Sequence, residues 1–285
     1  MRFLEDMILK LGSVDRRFIF ILIGLAVLIP LMRPIDLPVR TTPTTEKVYN
    51  AIEEIPANSK VLMSFDYGPS TKPEIHPMTL GVMRQVLRNG HQIYITCLWP
   101  DGLYMALDAL EEINQEFDDL NMPLVEYEDY VLLGFRPGNE AIVKGLASDL
   151  RKVYTVDSKG TMLADIPMMD GVNNLKDFQF IFTGSAGYPG TFEWVQYGGD
   201  PTGVPLSSGT TSIQVNEVMP YVQSGQVKGI LAGMPGAAEY ESLINTPGIA
   251  IQGMAAQSFA HLVIVLFIVL GNLAYFITER RERKY

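Results

Sequence analysis

The chain has 285 residues, 47% of them hydrophobic and 19% charged, and a net charge of −10. That composition excludes a disordered chain, and the acidic balance excludes nucleic-acid binding through the phosphate backbone, which needs a basic patch. The single cysteine, Cys97, excludes an intrachain disulfide.

In chain order, Phe3, Leu4, Met7, Ile8 and Leu11 fall on one helical stripe, which predicts an interfacial amphipathic helix over residues 1–15. Phe18 to Met32 is uninterrupted apolar sequence. It is short for a membrane span, but the stems of Arg16 and Arg17 extend it by snorkelling. Basic residues before a short apolar core also fit a signal peptide, yet no small-x-small cleavage site follows. Residues 16–33 are therefore read as an uncleaved signal anchor and first transmembrane helix. The Pro- and Thr-rich stretch 34–46 reads as a linker.

Residues 47–250 alternate short apolar runs with amphipathic ones. Strands are expected at 60–65, 92–99, 130–135, 178–184, 203–208 and 227–233. A helix is expected from near Pro77 to a glycine stop at Gly90, and another over Leu103–Ile113, with Asp108, Glu111 and Glu112 on its polar side. Thr211 and Gln214 have capping-box spacing, and Pro235 suits the first turn of a helix. Residues 154–176 show no period and read as an irregular connection. Continuous apolar strands between helices imply an α/β domain with a doubly wound, mostly parallel sheet of Rossmann-like type.

From Ala256 to Thr278 no side chain is permanently charged, and about 20 such residues cross a hydrocarbon core. Residues 256–278 are read as a second transmembrane helix and 279–285 as a basic cytoplasmic tail. Arg2, Lys10, Arg16 and Arg17 precede the first span; Arg280, Arg281, Arg283 and Lys284 follow the second. The positive-inside rule then places both termini in the cytoplasm and the domain outside it, in the inner (plasma) membrane. Residues 33–255 carry 14 of the 22 basic and 27 of the 32 acidic residues, so this domain repels anionic headgroups.

Ligands of open α/β sheets bind beyond the carboxyl ends of the strands. The loops there offer Asp66, Tyr67, Trp99, Asp101, Arg136, Asn139, Ser185, Tyr188, Ser208 and Thr210 as crevice candidates. Arg136 could hold a carboxylate bidentately, or pair internally with Asp66 or Asp101. The glycine-rich phosphate and dinucleotide fingerprints and the nucleophile elbow are missing from the sequence. With only His76 and His91 in the domain, a histidine-based metal site is not expected, nor is a cofactor. His76 reads as structural, with Asp66 or Glu74 as partner, and Cys97 as buried and inert.

Gln257, His261 and Asn272 share one face of the last span and suit helix–helix contact. The first span has no polar residue to meet them, which favours self-association or other membrane subunits. These features together imply a non-enzymatic two-pass membrane protein that presents its domain for protein interaction or complex assembly. A receptor domain using the crevice is the alternative. A hydrolase or transferase of unrecognised type is another, and would need Ser185 or Ser208 within reach of His76.

Overall fold

The computed structural model describes Met7, Lys10, Gly12 and residues 14–33 and 38–283. Most of the interfacial helix expected over 1–15, and residues 284–285 of the basic tail, lie outside the described residues. The chain forms two compact units, Val39–Ala250 and Met1–Pro38 with Ile251–Tyr285.

The larger unit holds six strands: β1 (Lys60–Asp66), β2 (Gln92–Cys97), β3 (Tyr130–Phe135), β4 (Phe180–Ser185), β5 (Leu206–Thr210) and β6 (Ile230–Ala232). Their order is β3-β2-β1-β4-β5-β6 and every pairing is parallel. This is the order of a doubly wound sheet, and the strand order reverses between β1 and β4. The strands read as apolar runs because both faces are covered.

Strand parity assigns the two faces. Leu62, Tyr94, Val131, Leu133, Ile181, Leu206 and Ile230 belong to one cluster of buried side chains. Covering them are α5 (Glu140–Ser148), the helical stretch 191–202, α6 (Val215–Gln223) and the connection that follows Tyr154. That connection is irregular, as expected, with three short 3-10 turns at Leu163–Asp165, Pro167–Met169 and Leu175–Asp177. It nevertheless supplies buried Leu163, Ile166, Met169, Val172 and Leu175. The opposite face meets α3 (Lys72–Arg88) and α4 (Pro100–Asp119). The Cα of Gly184 abuts Thr79 and Ile75 of α3, and Gly102 of α4 abuts the Phe65 carbonyl. On this side α2 (Pro43–Glu53) and α7 (Gly233–Leu243) pack with each other, with α3 and with β6.

Three local expectations change. α2 begins at Pro43, inside the stretch read as linker, because a proline suits the first helical turn. α3 starts at Lys72 rather than near Pro77; Pro73 occupies its first turn and Pro77 lies inside it. Gln214 is itself the residue that precedes α6 and its side chain makes no cap hydrogen bond, so the capping box does not form. Gly90 does follow the end of α3, with φ +72.

In the smaller unit, α8 (Ile249–Glu282) is the one helix among the described residues long and apolar enough to cross a membrane. Leu262, Val265, Leu266, Ile268, Val269, Leu273 and Phe276 along it are exposed. α1 (Arg16–Met32) has 17 residues, about 25 Å at 1.5 Å per residue and short of a roughly 30 Å core. Ile19, Ile23, Ala26 and Pro30 are shielded along one stripe of α1, with Val27 beside it. On α8 one stripe of shielded residues runs through Ala256, Ala260, Val263, Phe267, Leu270, Ala274 and Ile277, with Ala255 and Phe259 also shielded. Both stripes alternate spacings of four and three along the helix. Gly12 packs directly on the Ala274 side chain.

Candidate functional site

At the strand-order reversal, Asp66 of β1 is the register partner of Ser185 of β4. Register partners in a parallel pair share a face, so Ser64, Asp66, Thr183, Ser185, Ser208 and Thr210 form a polar band across three strands. All six are buried. Asp66 is its centre. Its Oδ1 accepts from the Leu98 backbone N–H (2.8 Å) and its Oδ2 from Thr183 Oγ1 (3.1 Å) and Trp194 Nε1 (2.9 Å). Ser64 Oγ sits 2.7 and 2.8 Å from the two oxygens. Burial pushes the Asp66 carboxyl up to about 7, against the opposing pull of Leu98, Ser64, Trp194 and Thr183. Ser185 Oγ donates to Gly187 O and accepts from Thr191 N, while Ser208 Oγ bonds Thr191 Oγ1 (2.7 Å). The Thr210 hydroxyl is buried without a hydrogen-bond partner among the described residues.

Above this band the loops fasten to each other. Trp99 Nε1 donates to Pro189 O (2.7 Å), the Asp101 side chain lies on Gly68, and Tyr188 Oη reaches Glu140 Oε2 (3.4 Å). The structure thus brings Asp66, Trp99, Asp101, Ser185 and Tyr188 to one end of the sheet, with Trp99, Asp101 and Tyr188 towards solvent. Arg136 does not join them. Its guanidinium donates to Phe135 O and Val156 O and lies 4.8 Å over the Tyr154 ring. The internal pairing with Asp66 or Asp101 is replaced by these carbonyls and a cation–π contact. Asn139 is exposed at the start of α5, with φ +48.

Tyr67 turns to the opposite face. Its hydroxyl lies 2.8 Å from His76 Nδ1 and 3.0 Å from Thr79 Oγ1, both on α3. The sheet therefore separates His76 from Ser185 and Ser208, and no Ser–His pair forms. His76 also has neither Asp66 nor Glu74 as partner; Glu74 accepts from Ser212 instead. His76 Nε2 faces Glu112 Oε1 (3.3 Å) and Asp108 Oδ2 (3.5 Å) of α4. Burial holds its imidazole below the ordinary histidine value, with Glu112 opposing. The sequence carried one trace of this cluster: Lys72 and His76, like Asp108 and Glu112, are four apart on a helix. Which helices face each other was not legible. Cys97 is buried, and burial raises its thiol well above the usual value, so it stays protonated.

At the amino ends of β4 and β5 a groove of about 460 Å³ is lined by Ile55, Phe178, Val204 and Pro205, with Lys176 and Lys228 at its rim. It lies at the end of the sheet opposite the loops considered above.

On α8, Gln257, His261 and Asn272 are exposed. Asn272 Nδ2 and Ser258 Oγ donate back to Ile268 O and Met254 O of their own helix, both at 2.8 Å. At 100° per residue the line through 257, 261, 264, 268 and 272 lies roughly 130° around the helix from the shielded stripe.

No protein-family model matches the chain, and no characterised protein matches it significantly.

Proposed function

We propose that the chain is a membrane-anchored interaction or assembly module. α1 and α8 hold it in the inner (plasma) membrane, both termini lie in the cytoplasm, and the doubly wound domain is presented outside. The span of α1 reaches full length by snorkelling of Arg16 and Arg17. The basic residues before α1 and at the end of α8 supply the orientation.

One observation carries this reading. The polar residues Gln257, His261 and Asn272 of α8 lie away from its shielded stripe, on an exposed one. Polar groups in a span turn to protein or water rather than lipid, so a second helix, from another copy or another membrane subunit, answers this geometry. The enzyme alternative has no such support, since the candidate serines and His76 occupy opposite faces of the sheet.

Interhelical hydrogen bonds in membranes contribute about 0.6–2 kcal/mol each. Replacing His261 and Asn272 together by leucine is therefore expected to weaken a complex by roughly tenfold or more while leaving insertion intact, because α8 becomes more apolar. Native mass of the detergent-extracted protein reads the change. A strictly monomeric species without co-purifying subunits, both before and after the substitution, would overturn the proposal.

A further inference from the structure

We propose that His76, Asp108 and Glu112 form a site for one divalent metal ion of the zinc class, with the Lys72 ammonium as its internal competitor.

Two facing pairs build it. Lys72 and His76 stand one turn apart on α3, and Asp108 and Glu112 one turn apart on α4, so each pair projects from one helix face. The three ligand atoms lie within 4.8 Å of one another. His76 Nε2 is 3.3 Å from Glu112 Oε1 and 3.5 Å from Asp108 Oδ2. Metal bonds of about 2.1 Å in a tetrahedron put neighbouring ligand atoms roughly 3.4 Å apart, so both edges already have the required length.

The histidine is prepared for this role. Its side chain is only 3% exposed, and its Nδ1 is held by the Tyr67 hydroxyl at 2.8 Å. The Thr79 hydroxyl donates to the His76 carbonyl (2.8 Å). With Tyr67 donating to Thr79 Oγ1, the Tyr67 oxygen can accept from His76 Nδ1–H, the arrangement a metal on Nε2 requires. Without metal, His76 Nε2–H donates to Glu112 Oε1 (3.3 Å); an ion would take the place of that proton and select the Nδ1–H tautomer, the one that binds metal through Nε2. Two carboxylates converging on one point call for a cation, and the Lys72 ammonium supplies it when no metal is bound.

Asp108 Oδ2 is itself shielded from solvent, ion-paired with Lys72 Nζ and 3.5 Å from His76 Nε2. Lys72 Nζ is also 4.0 Å from Glu112 Oε1, so the ammonium sits beside both carboxylates. Its side chain is 38% exposed and can swing into water. The Asp108 and Glu112 side chains are 36% and 39% exposed, which leaves a solvent-side position for a fourth ligand, a water. One imidazole with two carboxylates is a donor set for zinc or a similar first-row ion rather than calcium. Bound metal would tie α3 to α4 over the strands they cover.

The test is a titration of the detergent-solubilised full chain with Zn²⁺ against a chromophoric chelator, with the thermal midpoint as second readout. One ion per chain and a raised midpoint are expected. Glu112→Gln and His76→Gln should each weaken uptake on the order of 100-fold. Lys72→Ala should tighten it roughly tenfold or more, as removal of one charge about 4 Å away predicts. His91→Gln should change nothing. Zinc uptake that survives Glu112→Gln in a folded protein, or no uptake even in Lys72→Ala, would overturn the site.

Discussion

Asp66→Ala is expected to destabilise the domain by about 4 kcal/mol or more, because four buried donors lose their acceptor. The reason is arithmetic of donors. Ser64, Thr183, Trp194 and the Leu98 amide all converge on one carboxyl, and each orphaned donor costs about 1–3 kcal/mol when buried. The same residue gives a pH signature. Burial holds its carboxyl up to about 7, so the folded domain keeps a proton that the unfolded chain releases near pH 4. Its contribution is complete below about pH 4 and is lost as pH rises through 7, at up to about 1.4 kcal/mol per pH unit. His76 and His91, both held low by burial, act in the opposite sense, losing stability as pH falls through their unfolded value. The comparison must therefore be between wild type and Asp66→Asn, by denaturant unfolding at pH 5 and pH 8. The deficit of the variant should be larger at pH 5. Equal deficits would show that Asp66 does not titrate in this range.

Gly102→Ala should be nearly as damaging, at about 3 kcal/mol, the upper end for overpacking. Gly102 lies in the first turn of α4, where the helix crosses the end of β1. A Cβ there would run into the Phe65 carbonyl oxygen and press on the Cys97 side chain. Backbone cannot give way as a flexible side chain can, so α4 must lift from β1. That shift would also carry Asp101 off Gly68 and alter the pairing of Asp108 and Glu112 with α3. A melting midpoint within a degree or two of wild type would contradict this packing.

The strands were legible because a parallel sheet buried on both faces leaves continuous apolar runs; Tyr130–Phe135 stands where the sequence put it. Boundaries were less so. Pro77 looked like a helix start, but Pro73 earlier in the same helix takes that role. Which loops lie at the carboxyl ends also followed from topology. What those loops do did not, because it depends on distant partners. Asp66 looked like a crevice acid until Trp194, 128 residues away, is seen to cover it. Arg136 read as a carboxylate clamp or an internal partner of Asp66 or Asp101, and the irregular connection through Tyr154 and Val156 occupies it instead. On α8, periodicity placed Gln257, His261 and Asn272 on one face, but only the structure separates that face from the shielded stripe.

Cysteine cross-linking in native membranes tests the central claim most directly, because Cys97 is buried and leaves a silent background. Single cysteines at Ile264 and Ile268 lie on the polar stripe, and those at Val263 and Phe267 on the shielded stripe. Oxidative or bifunctional cross-links to another chain are expected at 264 and 268, and none at 263 and 267. Equal yields at all four positions, or no intermolecular adduct at any, would contradict the claim.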